Sequence, residues 1–471
     1  MNLHIVVLAS YSLALMALGL WIGRRVRGAS DFFVAGRQLG PGLVFSTMLA
    51  ANIGAGSTVG ATGIAYTHGV VAWWWVGSAA IGSAVLAFWI GPSIRREAAA
   101  HSLRTVGDYL EYRYSRTVRG IIATLLWFGS IAILAAQLIA IGTILAVVAG
   151  VPFALGCAIG GAVITAYFTA GGLLTSAWVN VVQLTVKLAG FAVVAPLALS
   201  GVGGWRGIEP VGADDAAYWT FWRLATPGMM YLALLVPAFI VSPGLLQKIF
   251  GARDDRAVRV GVGLNALGLF VYAGVPVLLG IIARASFPEL GDEKLALPNI
   301  LIHGVPLFIG AIGLAAVFSA EVSAADAALF MLTTSLSQDL YKRFVSPTAS
   351  DDRVLRVARW TTLVSGVLGS GLAIASASIV DTLTIFYTLL GVSLFVPIVA
   401  GLYVPRTSNA GALASIAGGV SVMLVVQTAT GGRGWGVVTP ALAGLVAAIL
   451  AWAITLSIGA PTDDTRQSVS A

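Results

Sequence analysis

Apolar runs of about twenty residues recur along almost the whole chain, and a run of that length crosses a bilayer core as one helix. Thirteen such segments, numbered zero to twelve, are 4–22, 41–66, 70–93, 119–149, 151–170, 177–200, 227–247, 258–283, 307–337, 358–376, 382–404, 410–427 and 437–458. In lipid the backbone must satisfy its own polar groups, so the expected fold is an all-α polytopic membrane protein. Hydrophobic residues make up 58% of the chain and charged residues 10%, whereas soluble domains carry about 25% charged residues. That balance excludes a soluble enzyme, a nucleic-acid binder and a disordered scaffold. The first segment carries no Lys or Arg before Arg24 and no small-residue cleavage site, so it reads as a span and not a signal peptide.

Charge gives an orientation. With the N-terminus outside, twenty-one of the 27 Lys and Arg fall on the inner side. Arg206, Arg223, Arg284, Lys294 and Arg433 fall outside, and Lys187 lies within a span. This bias predicts a cytoplasmic C-terminus in a bacterial-type inner membrane. The expected organisation is an N-terminal helix and loop (1–40), a first five-helix group (41–200), an external loop (201–226), a second five-helix group (227–404), and two C-terminal helices with a short tail (405–471). The tail is too short to fold alone, so no second domain is expected. One cysteine, Cys157, and four scattered histidines offer no disulfide framework or metal cluster.

Segment one contains Gly54, Gly56, Gly60 and Gly63 among Ser57, Thr58 and Thr62. Each glycine costs a helix about 1 kcal/mol relative to alanine. Two readings fit this stretch: a close packing face, or a helix that unwinds to line a cavity. Segment six has a counterpart in Ser242-Pro243-Gly244. Breaks at matching places in two halves point to an inverted-repeat transporter. Lys187, Glu321 and Asp326 fall inside spans, where a charge costs about 2.5–3.5 kcal/mol on insertion scales. They are expected to pair or to face water, either as a fastening between helices or as part of a coupling site. Asp381 is expected to cap a helix. Of Trp73, Trp74 and Trp75, at least two suit an interfacial belt and one a solute path. Gln137 suits either a solute or a neighbouring backbone.

Several motifs together resemble the sodium:solute symporter family. They are Asp31-Phe32-Phe33-Val34-Ala35-Gly36-Arg37, the Ala50–Gly60 stretch, Gly171-Gly172-Leu173 through Asn180 and Gln183, Gln247-Lys248 with Ala252-Arg253-Asp254, and Asp339-Leu340-Tyr341-Lys342-Arg343. The resemblance covers about 30–425. It implies a leucine-transporter-like core of five plus five helices, one helix before and two after. It also implies a sodium site at the carbonyls of Ala50, Ile53 and Ala320 and the hydroxyl of Ser323, an oxygen set that suits a hard cation. The usual second Ser or Thr is here Ala324, and a family aspartate is here Asn180.

The implied solute pocket takes in Gly56, Ser57, Thr58, Trp75, Gln137, Phe239 and Ser242. Positions that are polar in sugar-transporting relatives are here Leu235, Ala238 and Phe239. A sugar would leave hydroxyls unpaired against them at about 1–3 kcal/mol each. The expected activity is cation-coupled import of a small non-sugar organic solute, with sodium as the coupling ion, no cofactor and no enzymatic step. The lipid bilayer and the solute are the expected partners. Lys187 lies seven residues after Asn180, on the same helix face. Its ammonium can therefore stand in for the cation, with Glu321 or Asp326 as counter-ion, which admits proton coupling or ion-independent exchange. A solute sensor built on the same fold is the remaining alternative.

Overall fold

The computed structural model describes residues 3–23, 34–168, 172–376 and 378–458. Asp31, Phe32, Phe33, Gly171 and the 460–471 tail lie outside the described residues. Among those residues the regular structure is helical, apart from two isolated bridges. Among the described residues, ten helices are long and apolar enough to cross a membrane, with shorter apolar stretches at Leu3–Gly19 and Phe153–Ala166.

Segment one is two helices. Pro41–Asn52 ends where Ile53 turns extended (φ −93°, ψ 96°). The chain resumes as a wide turn, Gly56–Gly60, and then the helix Ala61–His68. Ser57 supports the gap: its Oγ accepts from Gly54 N at 3.0 Å and donates toward Asn52 O at 3.1 Å. Without that hydroxyl, broken backbone in an apolar interior would stay unpaired. Segment six breaks for a different reason. Pro243 forces the preceding residue out of the helical region, and Ser242 sits at φ −54°, ψ 120° between helices Tyr231–Val241 and Pro243–Phe250.

The other segments have ordinary ends. Ser115 caps segment three at Val118 N, and Gly150 closes it in the left-handed region (φ 65°). Asp254 caps segment seven at Ala257 N. Asp381 does not cap segment ten as expected. The cap is Ser378, whose side chain accepts from Asp381 N, so Asp381 lies in the first turn. Segment five (Gly172–Gly201) packs along segment eight (Leu307–Thr334) and along the first half of segment one. Segments two, three, six, seven and ten close around the two breaks. Large apolar side chains such as Phe88, Trp89, Phe128 and Trp360 remain exposed on the outside of the bundle, which suits a lipid-facing surface.

Candidate functional site

Lys187 reaches from segment five into the gap in segment one. Its side chain is fully buried. Nζ donates to Ala50 O at 2.8 Å, to Ile53 O at 3.2 Å and to Ser323 Oγ at 2.7 Å. Three of the four oxygens expected to hold sodium therefore hold an ammonium. The fourth, Ala320 O, accepts from Ser323 Oγ at 3.0 Å. The carbonyl end of a helix carries partial negative charge, and the end of Pro41–Asn52 directs it at this ammonium.

The charged neighbours sort themselves. Glu321 is fully buried and lies within electrostatic reach of Lys187, but its Oε1 accepts from Thr58 Oγ1 at 2.7 Å. Asp326 lies instead within reach of Lys248. Lys248, which the charge count places on the inner side, is buried in the second half of segment six. Asn180, also on segment five, meets segment one about a turn before Ala50, donating to Thr47 Oγ1 at 2.9 Å and to Ser176 Oγ at 3.2 Å. Both Asn180 and Lys187 thus face the first half of segment one, while Asn180 touches none of the four cage oxygens.

Beside the gap is a cavity of about 30 Å³, room for roughly one water. Gly56, Ser57, Trp75, Gln137 and Phe239 line it, together with Asn52, Leu235, Leu383 and Tyr387. Trp75 stands 6.3 Å from Tyr387 between ring centroids, and Phe239 stands 5.6 Å from it. Gln137 serves the wall and the backbone together: Oε1 accepts from Ala55 N at 2.8 Å. Thr58 turns away to Glu321 and Ser242 marks the segment-six break, so neither faces the cavity. Trp74 is buried, with its indole N–H on Phe221 O, and Trp73 is half-buried. A Cβ on Gly56 would stand 2.5 Å from Leu383 Cδ1 and 3.1 Å from Trp75 Nε1, so a side chain here would push Leu383 and Trp75 aside.

A second charged centre closes the arginine-rich end. Arg119 contacts Asp108 at 2.8 Å, Glu111 at 2.9 Å and Asp339 at 2.7 Å. Thr105 donates to Asp339 at 2.6 Å and, with Asp108, forms a capping box on helix Val106–Arg113. Arg343 adds two bonds to Glu111. Burial raises the Glu111 carboxyl, but the two guanidinium groups outweigh it and hold the group below its ordinary value. Arg37 ties the same end together, donating to Phe250 O and Leu103 O. Sequence reasoning singled out Asp339 and Arg343 only as a motif and missed Arg119. The visible signal was the clustering of two acids and four arginines over 104–119.

Known proteins bear on this geometry. The Sodium:solute symporter family profile matches residues 32–419. The chain is similar to the High-affinity choline transporter 1 of Caenorhabditis elegans, 22% identical over 90% of this chain and 77% of that protein. It is also similar to the Sodium/pantothenate symporter of Escherichia coli, 27% identical over 83% of each chain. Among solved structures, a Na+-coupled sialic acid symporter in a substrate-bound outward-open state superposes with a TM-score of 0.82, 19% identical over 98% of both chains.

Proposed function

Since the chain belongs to the sodium:solute symporter family, we propose that it is a secondary transporter in which the Lys187 ammonium takes the coupling cation's place. Transporters of this kind carry solute by alternating access, and no covalent chemistry is involved. The observation that carries the reading is the placement of Nζ at 2.8, 3.2 and 2.7 Å from Ala50 O, Ile53 O and Ser323 Oγ. A fixed cation there neutralises the helix end that a bound ion would otherwise steady. The proposed role leaves proton coupling or solute exchange as the driving process.

The solute we infer is small, organic and poor in hydroxyls. Leu235, Phe239, Leu383 and Trp75 form much of the wall, and among the described residues Tyr387 is the only side chain lining it that has an ionisable group. Loading requires the cavity to open, because its present volume does not admit an organic molecule.

A second reading, favoured by the family match, keeps sodium at the same oxygens and requires Nζ to swing out. Thermal melts of the purified protein in sodium chloride and in N-methylglucamine chloride separate the two, because a ligand bound only to the folded state raises its stability. The expected result is a wild type indifferent to sodium and a Lys187→Ala variant stabilised by it. A sodium-stabilised wild type would overturn the proposal. Uptake in vesicles of a solute found by a melt screen, driven by a sodium or by a proton gradient, then identifies the coupling. Solute binding without any uptake would favour a sensor.

A further inference from the structure

The arginine-rich end holds a second, larger cavity of about 470 Å³, within the size range of small-ligand sites. It opens between the turn 101–104, helix Val106–Arg113 and Ser335–Val345, which extends segment eight. It shares no lining residue with the cavity beside the gap.

The acids that line it are already taken up. Asp108 Oδ2 accepts from the backbone N of Arg104 at 2.8 Å and of Thr105 at 3.1 Å, and its Oδ1 meets Arg119 at 2.8 Å. Glu111 accepts from Arg119 at 2.9 Å and from Arg343 Nε at 2.9 Å. Donors are left over. Arg104 is half-buried and lines the cavity, yet among the described residues it donates only through its backbone. Lys342 Nζ spends one N–H, on Asp351 at 3.2 Å. Gln338, 6% exposed, also lines the cavity, and its Nε2 has no partner among the described residues. Buried donors without an acceptor are costly, so an acceptor from outside the chain is favoured here.

Charge points the same way. Arg37 and Arg116 back the cavity through the carbonyls of Leu103 and Arg343. Asp339 and Asp351 offset Arg119 and Lys342, and Glu97 at the rim faces the His101 ring at 3.6 Å. Arg37 and Arg104 keep no acid of their own. Burial and the charges of Arg104 and Arg95 hold the Arg37 guanidinium below its ordinary value, as a crowded cationic corner does.

We propose that this cavity binds a phosphate ester through Arg104, Lys342 and Gln338. A guanidinium fork matches phosphate oxygens, and an ammonium adds a point charge. The ester is the headgroup of an anionic phospholipid or a soluble organic phosphate. The flank suits the lipid: Tyr112 on the rim is exposed, as are Phe344 and Val345, and Arg116 lies 4.6 Å over the Phe344 ring. Basic and aromatic side chains together mark a membrane interface. The ligand would bridge the two elements that Arg119 joins. The site stands apart from Lys187, whichever ion drives transport.

The test uses the full-length protein, delipidated in neutral detergent and kept in N-methylglucamine salts. It is melted at equal ionic strength with glycerol 3-phosphate, dioleoyl-phosphatidylglycerol or dioleoyl-phosphatidylcholine, and native mass spectra count retained lipid. The expected result is a melting temperature raised by phosphatidylglycerol and not by phosphatidylcholine, with one phosphatidylglycerol retained. A rise with glycerol 3-phosphate as well shows that the headgroup suffices, and a rise with it alone assigns a soluble ester. Arg104→Gln should melt like wild type without ligand, because its guanidinium ties nothing in the fold, and should bind about tenfold more weakly or worse, as for a lost charge-assisted contact. Lys342→Gln should weaken binding in the same direction and repeats the measurement from segment eight. No rise with either ester, an equal rise with phosphatidylcholine, or unchanged affinity in either variant overturns the site.

Discussion

Lys187 and Arg119 are both buried cations tying several helices together, yet they are held in different ways. Arg119 touches three carboxylates directly, at 2.7 to 2.9 Å. Lys187 touches only neutral oxygens, and its nearby acid bonds elsewhere. A guanidinium is a planar fork that stays charged and engages several carboxylates at once, while an ammonium is a compact point charge that exchanges its proton. The first arrangement makes a lock between Val106–Arg113, segment three and the end of segment eight. The second makes a replaceable occupant of an oxygen cage. A lock should fail mainly as stability, and an occupant mainly as coupling.

The sharpest break in that comparison is Arg119→Met. It leaves Asp108, Glu111 and Asp339 facing one another, with Asp339 almost fully buried. Removing one partner of a buried ion cluster costs about 3–5 kcal/mol. Chemical or thermal denaturation in detergent should show that loss irrespective of the salt cation. A loss below about 1 kcal/mol would mean that the cluster is solvated and does not lock the end. Lys187→Met should cost less, about 1–3 kcal/mol, because it removes one donor from neutral acceptors. Unlike the arginine variant, it should recover part of its stability in sodium. Equal recovery in sodium and in N-methylglucamine would erase the distinction between the two cations.

The contrast was only half legible in the sequence. Apolar periodicity located the helices, and glycine and proline located both breaks, because these signals act within one segment. Lys187 stood out for the same reason, as a lone charge in an apolar run, and its link to the cage came from family resemblance and the seven-residue spacing to Asn180. The Arg119 cluster draws on residues separated by more than 200 positions, and no local pattern joins Asp339 to Thr105. Lys248 was hidden by a boundary: it ends an apolar run and looks like a loop cation, while Pro243–Phe250 carries it inside. A short wide turn, Gly56–Gly60, which no pattern in the sequence specifies, turns Thr58 to Glu321 while Ser57 faces the cavity.

The smallest expected effect tests the partly exposed rim of the lock. Glu111 keeps a side-chain exposure of 17%, and its partner Arg343 one of 44%. Exposed ion pairs contribute a few tenths to about 1 kcal/mol, so Glu111→Gln should destabilise by no more than that near neutral pH. The folded carboxyl lies below its ordinary value, so its contribution is fully present above the unfolded glutamate value of about 4.3. It is lost as pH falls through the folded value, where both states bind the proton. Melting temperatures of wild type and Glu111→Gln should differ at pH 7 and converge below pH 4. Conserving the difference to low pH would show that Glu111 acts through shape and packing, and would leave Asp108 and Asp339 as the charges that hold Arg119.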